Sequence, residues 1–260
     1  MESTHGGKTD LYPKDHPEES RIVSMLHAVT KSLRDGQESG QYMIVDANLL
    51  DQWPDVVCSL LGVVEKKGTD PSEEVRTIHG LSFPKDCSVN DAFATESVPK
   101  VRYESVSNCV DAGHIGRIRI LKGDVKGAFR HLRTQENQVF HMADYIPKLG
   151  IVIIDMATPF GWSGSPPCYA LFGRAISWLM ASNSPATVSG SLDHESFSSY
   201  EWVDNQIFVE QDVDDHLELT EATLRHAMLT VLGPRSINES NFSGGKSKLV
   251  ALGLSWNTVQ

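Results

Sequence analysis

Two aspartates have the residue type and the spacing to hold divalent metal ions. Asp124 follows the alternating segment 115–121, which predicts a strand. Asp204 comes 80 residues later, in a segment (200–210) where Asp204-Asn205 predicts the two-residue turn of a hairpin. Two such carboxylates can bridge divalent metals about 3.5–4 Å apart, activating a hydroxyl and neutralising a leaving phosphate. Their hard oxygens suit Mg²⁺ or Mn²⁺. Aspartate at strand ends and in turns is also a common structural choice.

Other common catalytic motifs are incomplete in this sequence. The segment 244–247, GGKS, ends like a phosphate-binding loop, but Ser240 stands where that loop needs its first glycine. The segment 161–165, GWSGS, has its second glycine one position too early for a nucleophile elbow. The four cysteines form no C-x-x-C pair, so zinc and thioredoxin chemistry have no support.

The elements that must position the two aspartates are clearest in the second half of the chain. Helical spacing predicts helices over 21–35, 166–182 and 214–232. Ser165 is a suitable N-cap for the second helix, with Leu171, Ala175, Trp178 and Leu179 as its inward residues. Apolar alternation predicts one hairpin from 139–143 and 151–156, another over 200–210, and a strand or turn over 248–256.

Composition limits the class of protein. The chain has 260 residues, of which 40% are hydrophobic and 22% charged, so it can bury a core. A net charge of -11 argues against a chain that is basic all over. A local basic stretch nevertheless surrounds Asp124, as a groove that tracks phosphates needs: Arg117, Arg119, Lys122, Lys126, Arg130 and Arg133. No long apolar run and no secretory signal is found, so we expect an intracellular protein without a membrane partner.

The order and spacing of four segments resemble a reverse transcriptase. Residues 124–129, DVKGAF, resemble palm motif A, D-x-x-x-x-[FY], and residues 158–166, TPFGWSGSP, resemble motif B. Residues 200–205, YEWVDN, resemble the aromatic-x-D-D hairpin of motif C, and 248–253 resemble the end of the later palm motifs. Upstream, three groups of residues resemble the fingers: Lys66-Lys67 with Arg76, the segment 81–84, and the segment 88–90. The resemblance covers about residues 60–256 and favours a retrotransposon-type over a retroviral enzyme.

The resemblance implies an α+β fold, with an antiparallel palm sheet backed by the helices at 166–182 and 214–232 and a separate fingers subdomain. It implies a flexible polar tail over 1–20, an N-terminal and fingers-like region over 21–110 and a palm-like region over 111–260. Thumb and RNase H segments are expected to be absent, and a partner protein could supply the thumb function.

The resemblance also assigns roles to individual residues. Asp124 and Asp204 would bind the metal and, with Asn205, form the catalytic set. Phe129 would gate the sugar 2′ position. The remaining nucleotide-binding residues would be Lys67 and Arg76, which hold the triphosphate, and Phe160 and Gly161, which shape the nucleotide and template site. The reaction implied is RNA-directed DNA synthesis from deoxynucleoside triphosphates on a primer–template, with Mg²⁺ or Mn²⁺.

Two departures from the family pattern leave alternatives open. Asn205 stands where motif C has its second aspartate, and Gly80 stands where the fingers pattern has an aspartate four residues after its arginine. One alternative is a catalytically inactive, truncated mobile-element fragment that binds nucleic acid or a protein. The other is an unrelated metal-dependent phosphodiesterase that shares only the carboxylate pair.

Overall fold

A computed structural model describes residues 17–66, 68–83, 85–103 and 116–259. Its helices are α1 (Pro17–Ser24), α2 (Leu26–Glu38), α3 (Ser165–Ser182) and α4 (His216–Leu232). Its strands are β1 (Tyr42–Asp46), β2 (Cys58–Glu65), β3 (Val75–His79), β4 (Ile118–Asp124), β5 (Ala143–Ile146), β6 (Ile151–Asp155), β7 (Ser199–Trp202), β8 (Asn205–Gln211), β9 (Ser243–Lys246), β10 (Lys248–Ala251) and β11 (Leu254–Asn257). The α+β class predicted from the sequence is confirmed.

The described chain divides into two compact units. The N-terminal unit contains the residues up to Ser97 together with Leu132–Ser165, and the C-terminal unit contains Val98–His131 and the residues from Pro166 onward. No helix in the described ranges is long and apolar enough to cross a membrane.

The N-terminal unit is built on a five-stranded mixed sheet in the order β1-β6-β5-β2-β3. The β2–β5 pair is parallel and the other pairs are antiparallel. Apolar residues of α2, such as Val29 and Leu33, pack with Leu61, Val63 and Ile153 of the sheet. The single helix expected over 21–35 is in fact two, because the chain bends at Met25, whose φ of -115° and ψ of 24° are not helical.

The C-terminal unit is built on a four-stranded antiparallel sheet in the order β7-β8-β4-β9. The hairpin β10–β11 contributes Ala251 and Trp256 to a core shared with Ile120, Ile207 and Val209. Helix α4 packs on this sheet, and a Cβ at residue 123 would overlap its Leu224 side chain. Glycine at that position therefore allows the helix to approach β4 one residue before Asp124.

Helix α3 has the predicted length but a different buried face. Leu171 and Trp178, which we expected to face inward, are 50% and 66% exposed. The buried face is formed instead by Tyr169, Ala170, Gly173, Ile176 and Met180. The prediction took one set of helically spaced apolar positions, whereas the structure buries a stripe that includes a small residue opposite β7.

Candidate active site

The two aspartates predicted as metal ligands lie at the same end of the C-terminal sheet. Asp124 is the last residue of β4 and pairs in register with Asn205, the first residue of β8. The backbone carbonyl of Asp204 accepts a hydrogen bond from the amide of Val125 at 2.7 Å. The pairing of two adjacent antiparallel strands therefore brings Asp124, Asp204 and Asn205 together, although 80 residues of sequence separate the two aspartates.

The hairpin turn is shifted by one residue from the predicted position. Trp202 pairs with Asn205, so the two turn residues are Val203 and Asp204 rather than Asp204 and Asn205. Val203 has a φ of 53°, which is a costly conformation for a β-branched residue. Strained residues persist where the surroundings enforce them, and they cluster at functional sites.

Side-chain amides surround both carboxylates. Asn205 donates from Nδ2 to Asp204 Oδ1 at 2.8 Å, and Asn238 donates from Nδ2 to Asp124 Oδ1 at 2.6 Å. The Asn241 side chain also donates a hydrogen bond to Asp124. The turn that carries Asn238 is held against β4, since the backbone amide of Asn238 donates a hydrogen bond to the backbone carbonyl of Asp124 at 3.0 Å. The sequence reasoning missed Asn238 and Asn241, because no local pattern connects them with Asp124.

The carboxylate pair carries more negative charge than its surroundings stabilise. Burial raises the pKa of Asp124, against the hydrogen bond from Asn238 and the positive charge of Lys122. Burial also raises the pKa of Asp204, and the nearby charge of Asp124 raises it further. Two partly buried like charges next to each other favour a bound cation, which would lower both pKa values. The donor set of the site therefore fits a hard divalent ion.

The aromatic residue predicted to gate the sugar is mostly buried. Phe129 lies five residues beyond the end of β4, in the short 3-10 turn Ala128–His131, and is 7% exposed. Its ring packs edge-on against Tyr169 of α3, with the ring centroids 5.9 Å apart. Its position relative to Asp124 is fixed by this packing within the C-terminal unit.

Two further features of the C-terminal unit bear on the site. Trp202 is 41% exposed and packs against Tyr103 with a centroid distance of 4.9 Å. Arg117 and Arg119 both contact Asp212 Oδ2, at 2.7 and 2.9 Å. The positive charge of these two arginines is therefore partly compensated within the unit, which weakens the basic stretch expected around Asp124.

The predicted nucleotide-binding residues Arg76, Phe160 and Gly161 belong to the N-terminal unit, and Lys67 lies outside the described residues. Arg76 is exposed on β3, with its guanidinium carbon 5.7 Å from the centre of the Phe160 ring. Gly161 has a φ of 109°, and a Cβ there would overlap the carbonyl oxygen of His79. Both the conformation and the close approach require glycine.

The missing aspartate of the fingers pattern also has a local structural explanation. The amide of Gly80 donates to the carbonyl of Leu60 at 2.7 Å, and a Cβ at position 80 would overlap that carbonyl oxygen. A side chain at this position would therefore push β2 and β3 apart.

A second acidic group, which the sequence reasoning missed, lies in the N-terminal unit. His79, Asp144 and Asp155 come from β3, β5 and β6, and their side chains are fully buried. Among the His, Cys, Asp and Glu residues of the described part of the chain, these three form the one group whose potential metal-ligand atoms all lie within 4.8 Å of one another. His79 Nδ1 contacts Asp144 and His79 Nε2 lies 2.6 Å from Asp155 Oδ2. Each ring nitrogen faces a different carboxylate, so the imidazole links two acidic side chains inside this unit.

The comparisons with known proteins agree with this architecture. No protein-family model matches the chain, and no curated protein matches it in sequence. The solved structure of a foamy viral protease-reverse transcriptase dRH in complex with double-stranded DNA is similar over 89% of this chain and 33% of that chain, with a TM-score of 0.63 and 16% identity. Native Prototype Foamy Virus protease-reverse transcriptase is similar over 95% of this chain and 27% of that chain, with a TM-score of 0.60 and 11% identity.

These likenesses show a reverse-transcriptase-like fold, as the motif order predicted. The chain spans about a third of the length of the proteins it resembles. At this level of identity the likeness establishes the fold, and the roles of individual residues stay predictions.

Proposed function

We propose that this protein catalyses template-directed nucleotidyl transfer, as an RNA-directed DNA polymerase of the retrotransposon type. The observation that carries the proposal is the pairing of Asp124 with Asn205 across β4 and β8, which brings the Asp124 and Asp204 carboxylates to one sheet end in a reverse-transcriptase-like fold. The substrates would be a primer–template and deoxynucleoside triphosphates.

Asp124 and Asp204 would hold Mg²⁺ or Mn²⁺. When bound, such an ion favours the ionised primer hydroxyl and neutralises the charge of the phosphates. The amides of Asn205 and Asn238 orient the two carboxylates through hydrogen bonds of 2.8 and 2.6 Å. Asn205 takes part as a neutral group, so the site has one negative charge fewer than a motif C with two aspartates.

The remaining residues would bind the nucleotide. Arg76 and Lys67 would contact the triphosphate through their positive charges, and Phe129 would lie under the sugar. Phe160 and Gly161 would contact the nucleotide and the template base. The exposure of Arg76 and its position over the Phe160 ring support a shared role for these two residues.

A second candidate function is a catalytically inactive member of the same fold that binds nucleic acid. One observation favours it: the Asn205 amide, which replaces a carboxylate, donates a hydrogen bond to Asp204 Oδ1. That bond occupies one lone pair of the proposed metal ligand with a neutral donor. The unrelated phosphodiesterase is not retained, because a reverse-transcriptase-like fold does not support it.

Single-nucleotide primer extension under single-turnover conditions tests the proposal. The wild-type chain, Asp124→Asn and Asn205→Asp are compared with Mg²⁺ and with Mn²⁺, at low salt because phosphate contacts weaken as salt rises. Asp215→Asn is the matched control, since Asp215 is an exposed aspartate of the same unit without a side-chain capping bond. We expect extension by the wild type and the control, and a loss of roughly 10²-fold or more in Asp124→Asn.

The variants separate the two candidate functions. Extension by Asn205→Asp alone would mean that the fold is intact and that the asparagine disables the native site. The proposed activity is rejected if neither the wild type nor Asn205→Asp extends a primer with either metal. Binding of the same primer–template by all variants, measured by fluorescence anisotropy, would then support the nucleic-acid-binding alternative.

A further inference from the structure

The turn that precedes α3 is fastened by one asparagine from far upstream in the sequence. Asn90 donates from Nδ2 to the carbonyl of Gly161 at 2.8 Å, and its Oδ1 accepts a hydrogen bond from the amide of Ser163 at 2.8 Å. The two ends of one side-chain amide therefore bind two backbone groups that are two residues apart. The same Nδ2 also donates to Ser82 Oγ at 2.8 Å.

Asn90 is itself held in place. Its backbone amide donates to the carbonyl of Leu81 at 2.9 Å. In the adjoining turn, the Asp91 carboxylate accepts hydrogen bonds from the Ser88 amide at 3.1 Å and from the Ser88 hydroxyl at 2.7 Å. These bonds lower the pKa of Asp91, so the carboxylate stays ionised as an acceptor. The Asn90 side chain is thus presented from a pre-ordered segment, which reduces the entropy lost when it binds the turn.

The opposite side of the turn rests on β3. The His79 amide donates to the carbonyl of Phe160 at 3.0 Å, and the His79 carbonyl abuts the Cα of Gly161. The Trp162 ring packs edge-on against Phe93 with a centroid distance of 5.4 Å, and it covers Gly164, where a Cβ would overlap it. The turn is therefore fixed by β3 on one side and by Asn90 on the other.

The bonds to Asn90 also decide what the turn offers to a ligand. Asn90 occupies the Ser163 amide and one of the two lone pairs of the Gly161 carbonyl, so fewer backbone groups of the turn are free to read the edge of a base. The turn also carries the half-buried Phe160 ring and the exposed, side-chain-free surface of Gly161. Such a surface contacts a nucleotide through shape and dispersion, which do not distinguish the four bases.

We propose that Asn90 is a positioning residue that locks the 160–163 turn and so holds the Phe160 ring and the Gly161 surface in one place for the nucleotide, whichever base it carries. This inference rests on the proposed function, because it takes the turn to be part of a nucleotide site. It predicts that loss of the lock weakens nucleotide binding for each of the four bases by a similar factor.

Two substitutions separate the two hydrogen bonds. Asn90→Asp keeps the acceptor for the Ser163 amide but replaces the donor to the Gly161 carbonyl with a repelling oxygen. Asn90→Ala removes both bonds. Asn183→Ala is the matched control, since the Asn183 side chain makes a local bond to the Leu179 carbonyl at the end of α3.

The first measurement is hydrogen exchange of the 160–165 amides in the full chain, which needs no activity. We expect faster exchange of the Ser163 amide in Asn90→Ala, near-native exchange of that amide in Asn90→Asp, and no change in Asn183→Ala. Equal exchange in the wild type and Asn90→Ala would overturn the inference, whatever the protein catalyses.

The second measurement is the apparent Kd of each of the four deoxynucleoside triphosphates in single-turnover extension. We expect Asn90→Ala to raise all four Kd values by about 10-fold, within a factor of two of one another, with the maximal rate little changed. Normal extension by the wild type with unchanged Kd values in Asn90→Ala would reject the inference and leave the proposed function standing. Faster exchange in Asn90→Ala with no nucleotide binding by the wild type would instead reject the proposed function, and the nucleotide role of Asn90 with it.

Discussion

Each unit of the molecule contains a histidine held between two carboxylates, and the two clusters differ in their contact with water. In the N-terminal unit, His79 lies between Asp144 and Asp155, and all three side chains are fully buried. Asp144 contacts the imidazole, but its Oδ1 accepts no hydrogen bond from any described residue. Two carboxylates therefore share one imidazole, and no other described residue donates a hydrogen bond to the Asp144 side chain. Loss of the imidazole would leave the buried Asp144 carboxylate without a donor.

In the C-terminal unit, His216 lies between Asp193 and Glu210, with ring nitrogens 2.6 and 2.9 Å from the carboxylate oxygens. Here the Glu210 carboxylate also accepts hydrogen bonds from the Ser198 amide at 2.8 Å and from the Ser198 hydroxyl at 3.2 Å. The Asp193 side chain is 26% exposed. Water and Ser198 can therefore compensate these carboxylates when the imidazole is absent or neutral. One imidazole and two carboxylates therefore form a fully buried cluster in one unit and a partly exposed cluster in the other.

Removing each histidine in turn should give the largest difference between the clusters. We expect His79→Ala to lower the free energy of unfolding by about 3–5 kcal/mol, because it removes the imidazole that both buried carboxylates contact. His216→Ala should cost less, about 1–3 kcal/mol, because the carboxylates keep other donors. Urea denaturation combined with hydrogen exchange, which reports each unit separately, measures both.

Asp144→Asn keeps the N-terminal cluster testable if His79→Ala does not fold. It preserves the side-chain volume and removes one of the two buried negative charges, so we expect a loss smaller than that of His79→Ala. Equal losses in the free energy of unfolding for His79→Ala and His216→Ala, or a larger loss for His216→Ala, would contradict the proposed difference. That difference is between a fully buried cluster and one whose carboxylates water and Ser198 compensate.

A pH titration of stability should show the second difference. Burial alone would lower the pKa of His216, but its hydrogen bonds to Asp193 and Glu210 outweigh burial and raise it. The folded state therefore holds this proton above pH 6.5, and the stability it contributes is lost as the pH rises through the folded pKa. Burial also raises the pKa of Glu210, despite the hydrogen bond from His216, so its ionisation acts in the same direction.

We expect the free energy of unfolding of the C-terminal unit to fall as the pH rises above 6.5, with a slope of at most about 1.4 kcal/mol per pH unit for each proton released. His216→Asn should flatten the part of this slope that belongs to the imidazole. An identical slope in the wild type and in His216→Asn would show that the imidazole does not titrate in this range.

The clusters also show which contacts sequence reasoning can and cannot reach. Alternation predicted the strand before Asp124 and turn composition the hairpin at Asp204, because both are local signals. That the two share one sheet was implied by the resemblance to a reverse transcriptase. Asn238 lies 114 residues from Asp124, and His79 is separated by long segments from both its carboxylates. Such contacts depend on strand register and on side-chain packing between elements, which no local pattern specifies.

The one-residue shift of the hairpin turn has a different cause. Asp204-Asn205 has the composition of a two-residue turn, whereas Val203 has a conformation that valine adopts at a cost. Here the register of β7 and β8 overrides the local turn preference and places Asp204 in the turn next to Asp124. For α3, helical spacing admits more than one apolar stripe, and the helix packs through the one that contains Gly173.

Glu201 sharpens the comparison, because it is a buried carboxylate without a histidine. It lies against α3 where Gly173 leaves room, and its Oε1 accepts no hydrogen bond from the described residues. Burial raises its pKa to about 7, and the nearby charge of Arg174 only partly opposes this. The folded state therefore binds a proton that the unfolded state releases above pH 4.5, so stability falls as the pH rises from 4.5 through 7.

We expect Glu201→Gln to be more stable than the wild type at pH 8, by about 1–3 kcal/mol, and to differ little from it at pH 4.5. Glu239→Gln is the control of opposite sign, since a hydrogen bond from Arg225 lowers the pKa of Glu239. Denaturation of the three proteins at both pH values provides the comparison. If Glu201→Gln gives no more stability at pH 8 than at pH 4.5, the ionised Glu201 carboxylate is already compensated in the folded state. The absence of an imidazole partner would then not make Glu201 more costly to bury than the carboxylates that contact His79 and His216.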